Sequence, residues 1–319
     1  MDNDRLMRLA GYASVAVAVT LVVAKIVAWL LTGSVSLLSS MVDSMVDTIA
    51  SLVNLLAIRQ SLQPADSEHR FGHGKAEPLS GLAQAAFIGG SAVFLTIEAV
   101  GQALHPKTLA NGTVGIGVMI LSIVLTLGLV RFQGYVIERT RSVAISADSL
   151  HFTGDILING GVILALVSAS TLGWSFVDPL VGVIIAGYLL YNSAHIAKQS
   201  LDLLMDREFD DEERQRIRDI AMSQPDVIDL HDLRTRSSGP HRFIQLHLEM
   251  DRMLPLWKVH DIADAVELKL REAFPNAEVI IHQDPAGLAE AHPEFSFEAP
   301  GRTISSDADS IGAVPIQRV

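Results

Sequence analysis

The chain is 319 residues long, 49% apolar and only 19% charged, with a mean hydropathy of +0.35; soluble domains carry about 25% charged residues, so the composition excludes an ordinary soluble protein and points to a membrane protein. The formal net charge of -12 excludes a nucleic-acid binder, which needs a dense Lys/Arg footprint. The absence of cysteine excludes disulfides and thiolate metal sites, leaving imidazole and carboxylate as the ligands open to a metal.

Charge divides the chain into an apolar body, residues 1–205, with 13 acidic and 11 basic side chains, and an acidic remainder, residues 206–319, with 23 and 13. A spanning helix needs roughly 20 apolar residues, and the body supplies six candidates near residues 8–32, 35–62, 78–104, 112–134, 145–172 and 176–200. The first follows Arg5 and Arg8 as a signal peptide would, but its apolar run continues to Leu31, longer than a signal sequence needs, which favours a retained span. Arg5, Arg8, Arg59, Arg70, Lys75, Arg131, Arg139 and Arg141 fall on one side of the spans and only Lys107 on the other. The bias places both termini and the 63–77 loop in the cytoplasm.

The acidic remainder alternates helix and strand signals. Asp210-Asp211-Glu212-Glu213 opens a helix to about Ser223, with its acids where they favour a helix N-terminus. Strand runs follow at Val227–Arg236 and Arg242–Asp251, parted by the turn signal Ser237-Ser238-Gly239-Pro240. A helix over Leu256–Phe274 and a strand over Ala277–His282 complete an α-β-β-α-β order, expected to form a small α+β, ferredoxin-like domain at 206–286. Residues 287–319 lose periodicity and gather Ala, Ser, Gly and Pro, and are expected to be disordered.

Ionisable residues inside the spans point to chemistry. Asp43 and Asp47 in span 2, and His151 and Asp155 in span 5, are each four residues apart, so each pair shares a helix face. Burying such a group costs ~2.5 kcal/mol or more. Four oxygen and nitrogen donors from two neighbouring helices would make a tetrahedral site suited to Zn2+. The plainer alternative is that they line a hydrated helix interface. Asp148, one turn before His151, reads as a fifth ligand or, more simply, a helix-end or interfacial carboxylate. In the loop, Asp66, His69 and His73 lie within eight residues and can close on one metal, or belong to a merely solvated loop. Spacing alone leaves His231, His247, His260, His282 and Asp284 open between metal binding and ordinary surface or core roles.

Three segments, Val42-Asp43-Ser44-Met45-Val46-Asp47, His69-Arg70-Phe71-Gly72-His73-Gly74-Lys75-Ala76-Glu77 and Ala147-Asp148-Ser149-Leu150-His151-Phe152-Thr153-Gly154-Asp155, resemble the cation diffusion facilitators. The tail segments His231–Arg236, Phe243–Glu249 and Ile280–Pro285 are similar to the bacterial zinc- and iron-exporting branch, and the resemblance runs from about residue 7 to 286. It implies a homodimeric six-helix transporter in a bacterial inner membrane that exchanges one divalent cation for protons. Asp43, Asp47, His151 and Asp155 match its transport site, with Zn2+ as cargo and Cd2+ or Fe2+ as further candidates. Gly154 departs from the Ser common in relatives but is not a ligand position. The resemblance also implies a zinc site at Asp66, His69 and His73, a two-zinc cluster at His231, His247, His260, His282 and Asp284 supported by Gln283, and an ion pair of Lys75 with Asp206 where bundle and tail meet.

Metal binds only deprotonated carboxylate and neutral imidazole, so its arrival displaces protons; His151 is the natural coupling group, since imidazole titrates near neutral pH. There is no nucleophile motif and no His-Glu-x-x-His run, so no enzyme is expected. Two other classes remain: a membrane-anchored cytoplasmic zinc sensor, which has no need of four donors at mid-membrane depth, and a passive channel, which should show no proton counter-flux.

Overall fold

The computed structural model describes residues 3–32, 35–104, 113–172, 174 and 176–287. Lys107 and residues 288–319 lie outside the described residues. Six long helices come first: α1 (Asn3–Thr32), α2 (Val35–Ser61), α3 (Ala76–Leu104), α4 (Thr113–Thr140), α5 (Val143–Leu172) and α6 (Val177–Leu204). Each is long and apolar enough to cross a membrane. They exceed the expected spans chiefly at polar ends, as where α4 continues through Arg139 to Thr140. Hydropathy measures the stretch that tolerates hydrocarbon, whereas backbone hydrogen bonding carries the helix on into the polar region.

The pairs α3 with α6, α1 with α2 and α4 with α5 pack most extensively, while α2 and α5 touch only briefly. Large side chains such as Leu31, Phe94, Ile97, Ile184 and Tyr191 point outward, as a lipid-facing surface requires. Inside the bundle, Leu6 and Met7 of α1, Ile58 of α2, Val136 of α4 and Ile145 of α5 form one apolar cluster. Another joins α3, α5 and α6 around Ile88, Leu150 and Leu189.

The start of α5 is fixed by polar latches. Glu77 Oε1 accepts from the Val143 amide at 2.9 Å, and Asn54 Nδ2 donates to the Ala144 carbonyl at 3.3 Å. Ser80 in turn donates to Asn54 Oδ1 at 2.9 Å. Asp148 is 1% exposed. It accepts from Ser14 of α1, from Gln84 of α3 at 3.1 Å and from Gln133 of α4 at 2.7 Å. It is therefore a buried hub joining four helices, not a helix-end or interfacial carboxylate; a second-turn position on α5 aims it inward.

The tail folds as α7 (Asp211–Met222), β1 (Val227–Ser238), β2 (His241–Met250), α8 (Leu256–Ala273) and β3 (Ala277–Pro285). Asp210 caps α7 by accepting the Glu213 amide at 2.8 Å. The sheet order is β1-β2-β3, antiparallel then parallel. A β-α-β crossover through α8 makes the parallel step possible. Ile217, Leu230, Leu248, Val266 and Leu270 lie at the centre of its core. The chain is thus a six-helix bundle with a small three-stranded α+β domain.

Loop and tail meet at glycine. A Cβ on Gly74 would stand 2.1 Å from the Ser238 carbonyl oxygen, at the β1–β2 turn. Beside it Phe71 packs edge-on against Phe243 with centroids 5.7 Å apart, and the Arg236 guanidinium lies over both rings. Gly74→Ala is expected to force this junction open, costing about 1–3 kcal/mol as overpacking does. A lower unfolding temperature and faster amide exchange at Ser238 and Gly239 would register it; unchanged exchange would count against the close fit.

Candidate metal centres

Within the bundle, Asp47 of α2 and His151 and Asp155 of α5 present ligand atoms all within 4.8 Å of one another. His151 Nε2 stands 3.2 Å from Asp47 Oδ1 and 3.9 Å from Asp155 Oδ2. This nitrogen is buried and makes no aligned hydrogen bond, so its lone pair or proton is directed among the carboxylates. A divalent cation fits this set of one imidazole nitrogen and two carboxylates. Phe87 and Phe152 flank the ring at 6.1 and 5.4 Å between centroids. Asp43 stands one turn before Asp47 on α2, exposed and outside the group of three.

The loop between α2 and α3 gathers Asp66, His69 and His73 into a second such group. Asp66 Oδ1 accepts the amides of His69 at 2.6 Å and Glu68 at 2.9 Å, an Asx-type turn. Gly72, at φ 78°, donates its amide to the His69 carbonyl and turns the chain back so that His73 Nε2 comes within 3.4 Å of Asp66 Oδ2. The amide of His69, and after it that of Glu68, hold the Asp66 carboxyl below the usual aspartate range.

In the tail, strand register builds the third group. His231 on β1 pairs with His247 on β2, and His247 with His282 on β3, so three imidazoles stand in one row across the sheet. Asp284 is 6% exposed, and lies 2.8 Å from His247 Nδ1, 3.4 Å from His231 Nε2 and 3.0 Å from His282 Nε2. His231, His247 and Asp284 form the tight set. His260 sits apart on the exposed side of α8, 3.5 Å from Asp264, because α8 turns Ile262, Ala263, Val266 and Leu270 to the sheet. Two carboxylates that sequence reasoning missed also approach: Glu249, 3.3 Å from His231 Nδ1, and Asp232, 3.8 Å from His247 Nε2. A register break after His231 and a positive φ at Asp232 re-aim that carboxylate, as bulges do.

Lys75 Nζ is 2.6 Å from Asp206 Oδ1, and Arg236 lies 3.6 Å from the same oxygen. Lys75 also donates to the Leu203 and Leu204 carbonyls at the end of α6, using a cation where a helix C-terminus favours one. Arg236 and Phe71 also join this junction; both fall in segments that carry the family resemblance, though spacing gives neither a role. Lys25 of α1 is a further omission: it bonds to α2 beside Asp43, and an ionisable residue inside a span is itself a signal.

Residues 11–205 match the cation efflux transmembrane domain, and residues 209–286 the cation efflux protein cytoplasmic domain. The chain belongs to the cation diffusion facilitator family. Among family members, the cation-efflux pump FieF of Serratia proteamaculans (strain 568) is 49% identical over 284 residues, covering 89% of this chain and 94% of its own length. The FieF of Salmonella newport (strain SL254) is 48% identical over the same shares. This facilitator is therefore spanned almost end to end by its relatives.

Asp66→Asn retains an oxygen for the two amides but loses the charge. The loop turn should persist, seen as unchanged backbone amide shifts for Glu68 and His69, while Zn2+ titrated against the His69 and His73 ring signals binds on the order of tenfold more weakly. Loss of the turn itself would show that the carboxylate's charge, not its geometry, holds the loop.

Proposed function

We propose that this chain is a secondary transporter that exports divalent cations, Zn2+ foremost and Cd2+ or Fe2+ after it, from the cytoplasm in exchange for protons. The observation that carries the proposal is the convergence of Asp47, His151 and Asp155 from two spanning helices onto one point. Asp43, one turn away on the same helix, supplies the fourth donor. An imidazole among carboxylates suits Zn2+ better than harder cations.

The exchange follows from competition for the same atoms. Metal needs the carboxylates ionised and the imidazole lone pair free; protons occupy those positions when it leaves. Because α2 and α5 touch only briefly, the donors on the two helices can separate without breaking an extensive interface. If the site opens alternately to each side, a proton gradient drives the cation outward. Helix glue accounts for the pair of Asp47 with His151 but not for the second carboxylate, Asp155, gathered at the same nitrogen.

The remaining assignments form one picture. Residues 1–205 act as the transport domain in a bacterial inner membrane with both termini cytoplasmic, and residues 206–286 as the metal-binding cytoplasmic domain of a homodimer. Asp66, His69 and His73 hold a second Zn2+. His231, His247, His282 and Asp284, with His260 as an outer member, hold zinc that steadies the paired tails. Lys75 and Asp206 align bundle and tail; as a partly exposed pair it contributes only about 0 to 1 kcal/mol.

Purified protein in vesicles with an imposed pH gradient should carry Zn2+ and protons in opposite directions. Asp47→Ala should abolish both fluxes, a loss of at least about a hundredfold. Zinc flux persisting at the wild-type rate would reject the site, and zinc flux without proton counter-flux would reject the exchange.

A further inference from the structure

Lys25 is the ionisable residue of the bundle interior that the transport scheme leaves unused beside the site. Its Nζ donates to Ser44 Oγ at 2.6 Å and to the Ser40 carbonyl at 3.1 Å, both on α2. Ser44 is 5% exposed, next to Asp43 and three residues before Asp47. Both oxygens belong to the stretch of α2 that carries Asp43 and Asp47, so the ammonium lies beside two of the four proposed donors while its hydrogen bonds go to neutral oxygens. α1 thus delivers a tethered cation to the rim of the site without placing it among the ligand atoms.

We propose that Lys25 is the resident counter-cation of the transport site and a determinant of its preference for divalent cargo. This rests on the reading that Asp43, Asp47, His151 and Asp155 carry that cargo. Three carboxylates with neutral imidazole need three positive charges to reach neutrality; the ammonium supplies one, and a divalent ion supplies the other two. A monovalent ion leaves the site negative and a trivalent one leaves it positive, and either residue of charge is costly in a low-dielectric bundle. The ammonium also weakens the carboxylates' hold on the divalent ion itself, so that the ion can leave.

The charge role separates from simple bonding between α1 and α2. Lys25→Gln keeps a donor for Ser40 and Ser44 but removes the charge, Lys25→Met removes both, and Lys25→Arg keeps the charge. Calorimetric titration of the full-length protein with Zn2+ isolates the transport site as the component missing in Asp47→Ala. In that component Lys25→Gln and Lys25→Met should bind Zn2+ at least about tenfold tighter and export it more slowly at saturation, with weakened discrimination against a trivalent ion such as La3+. Lys25→Arg should behave as the wild type. Should Lys25→Met fail to fold, Lys25→Gln decides.

Wild-type or weaker Zn2+ affinity in folded Lys25→Gln overturns the proposal, as does Lys25→Arg matching Lys25→Gln. If Asp47→Ala removes no binding component and no flux, the site itself has been misassigned. If Asp47→Ala removes both while Lys25→Gln matches the wild type, only the counter-cation role fails.

Discussion

Charge inside a low-dielectric bundle is the constraint on which the rest of the structure depends. A carboxylate taken out of water needs donors, a counter-charge or a bound cation, and each uncompensated one costs ~2.5 kcal/mol or more. Asp148 meets the requirement with hydrogen bonds from Ser14, Gln84 and Gln133. Asp47 and Asp155 meet it differently: their closest ionisable neighbour is His151, and no comparable fan of amide and hydroxyl donors surrounds them among the described residues. The same residue type therefore serves structure in one turn of α5 and lies open to a cation two turns later.

That contrast explains why the first half of α5 is so heavily latched. Glu77, Asn54 and Ser80 hold its N-terminus from α2 and α3, and the Asp148 hub ties its second turn to α1, α3 and α4. Rigid support close to a site is what keeps a donor set in ligand geometry. His151 and Asp155 follow directly on this anchored segment. Asp47 reaches them from α2, which packs far more extensively on α1 than on α5 and meets α5 chiefly through Asn54 and Ile58 near the start of α5.

Much of this was legible in the sequence, and the omissions have physical causes. The six spans follow from uninterrupted apolar length, and the Asp and His pairs from four-residue spacing, because both are local properties. The row His231, His247 and His282 depends on register between strands distant in sequence, which hydrophobic alternation does not supply alone. Glu249 and Asp232 enter the tail cluster only through that register and its bulge. Asp148 gave no sign of being a four-helix hub, since its partners lie on other helices. Lys25 disappears when cations are counted only in loops, and Arg236 and Phe71 matter only once the loop is seen against the tail.

The two kinds of site differ in how they respond to motion. The tail group is fixed by the ladders that join β2 to β1 and to β3, and a one-residue slip would turn an imidazole to the opposite face, so the tail cluster has essentially one arrangement. The bundle group is shared by two helices with little contact of their own, so no comparable ladder fixes Asp47 against His151. Packed helix interfaces switch between discrete arrangements rather than deforming continuously. The junction of Lys75, Asp206, Arg236, Phe71 and Gly74 lies between the two, joining the loop that precedes α3 to the turn between β1 and β2. The loop and the sheet turn are in direct contact there, so bundle and tail are mechanically joined at this point.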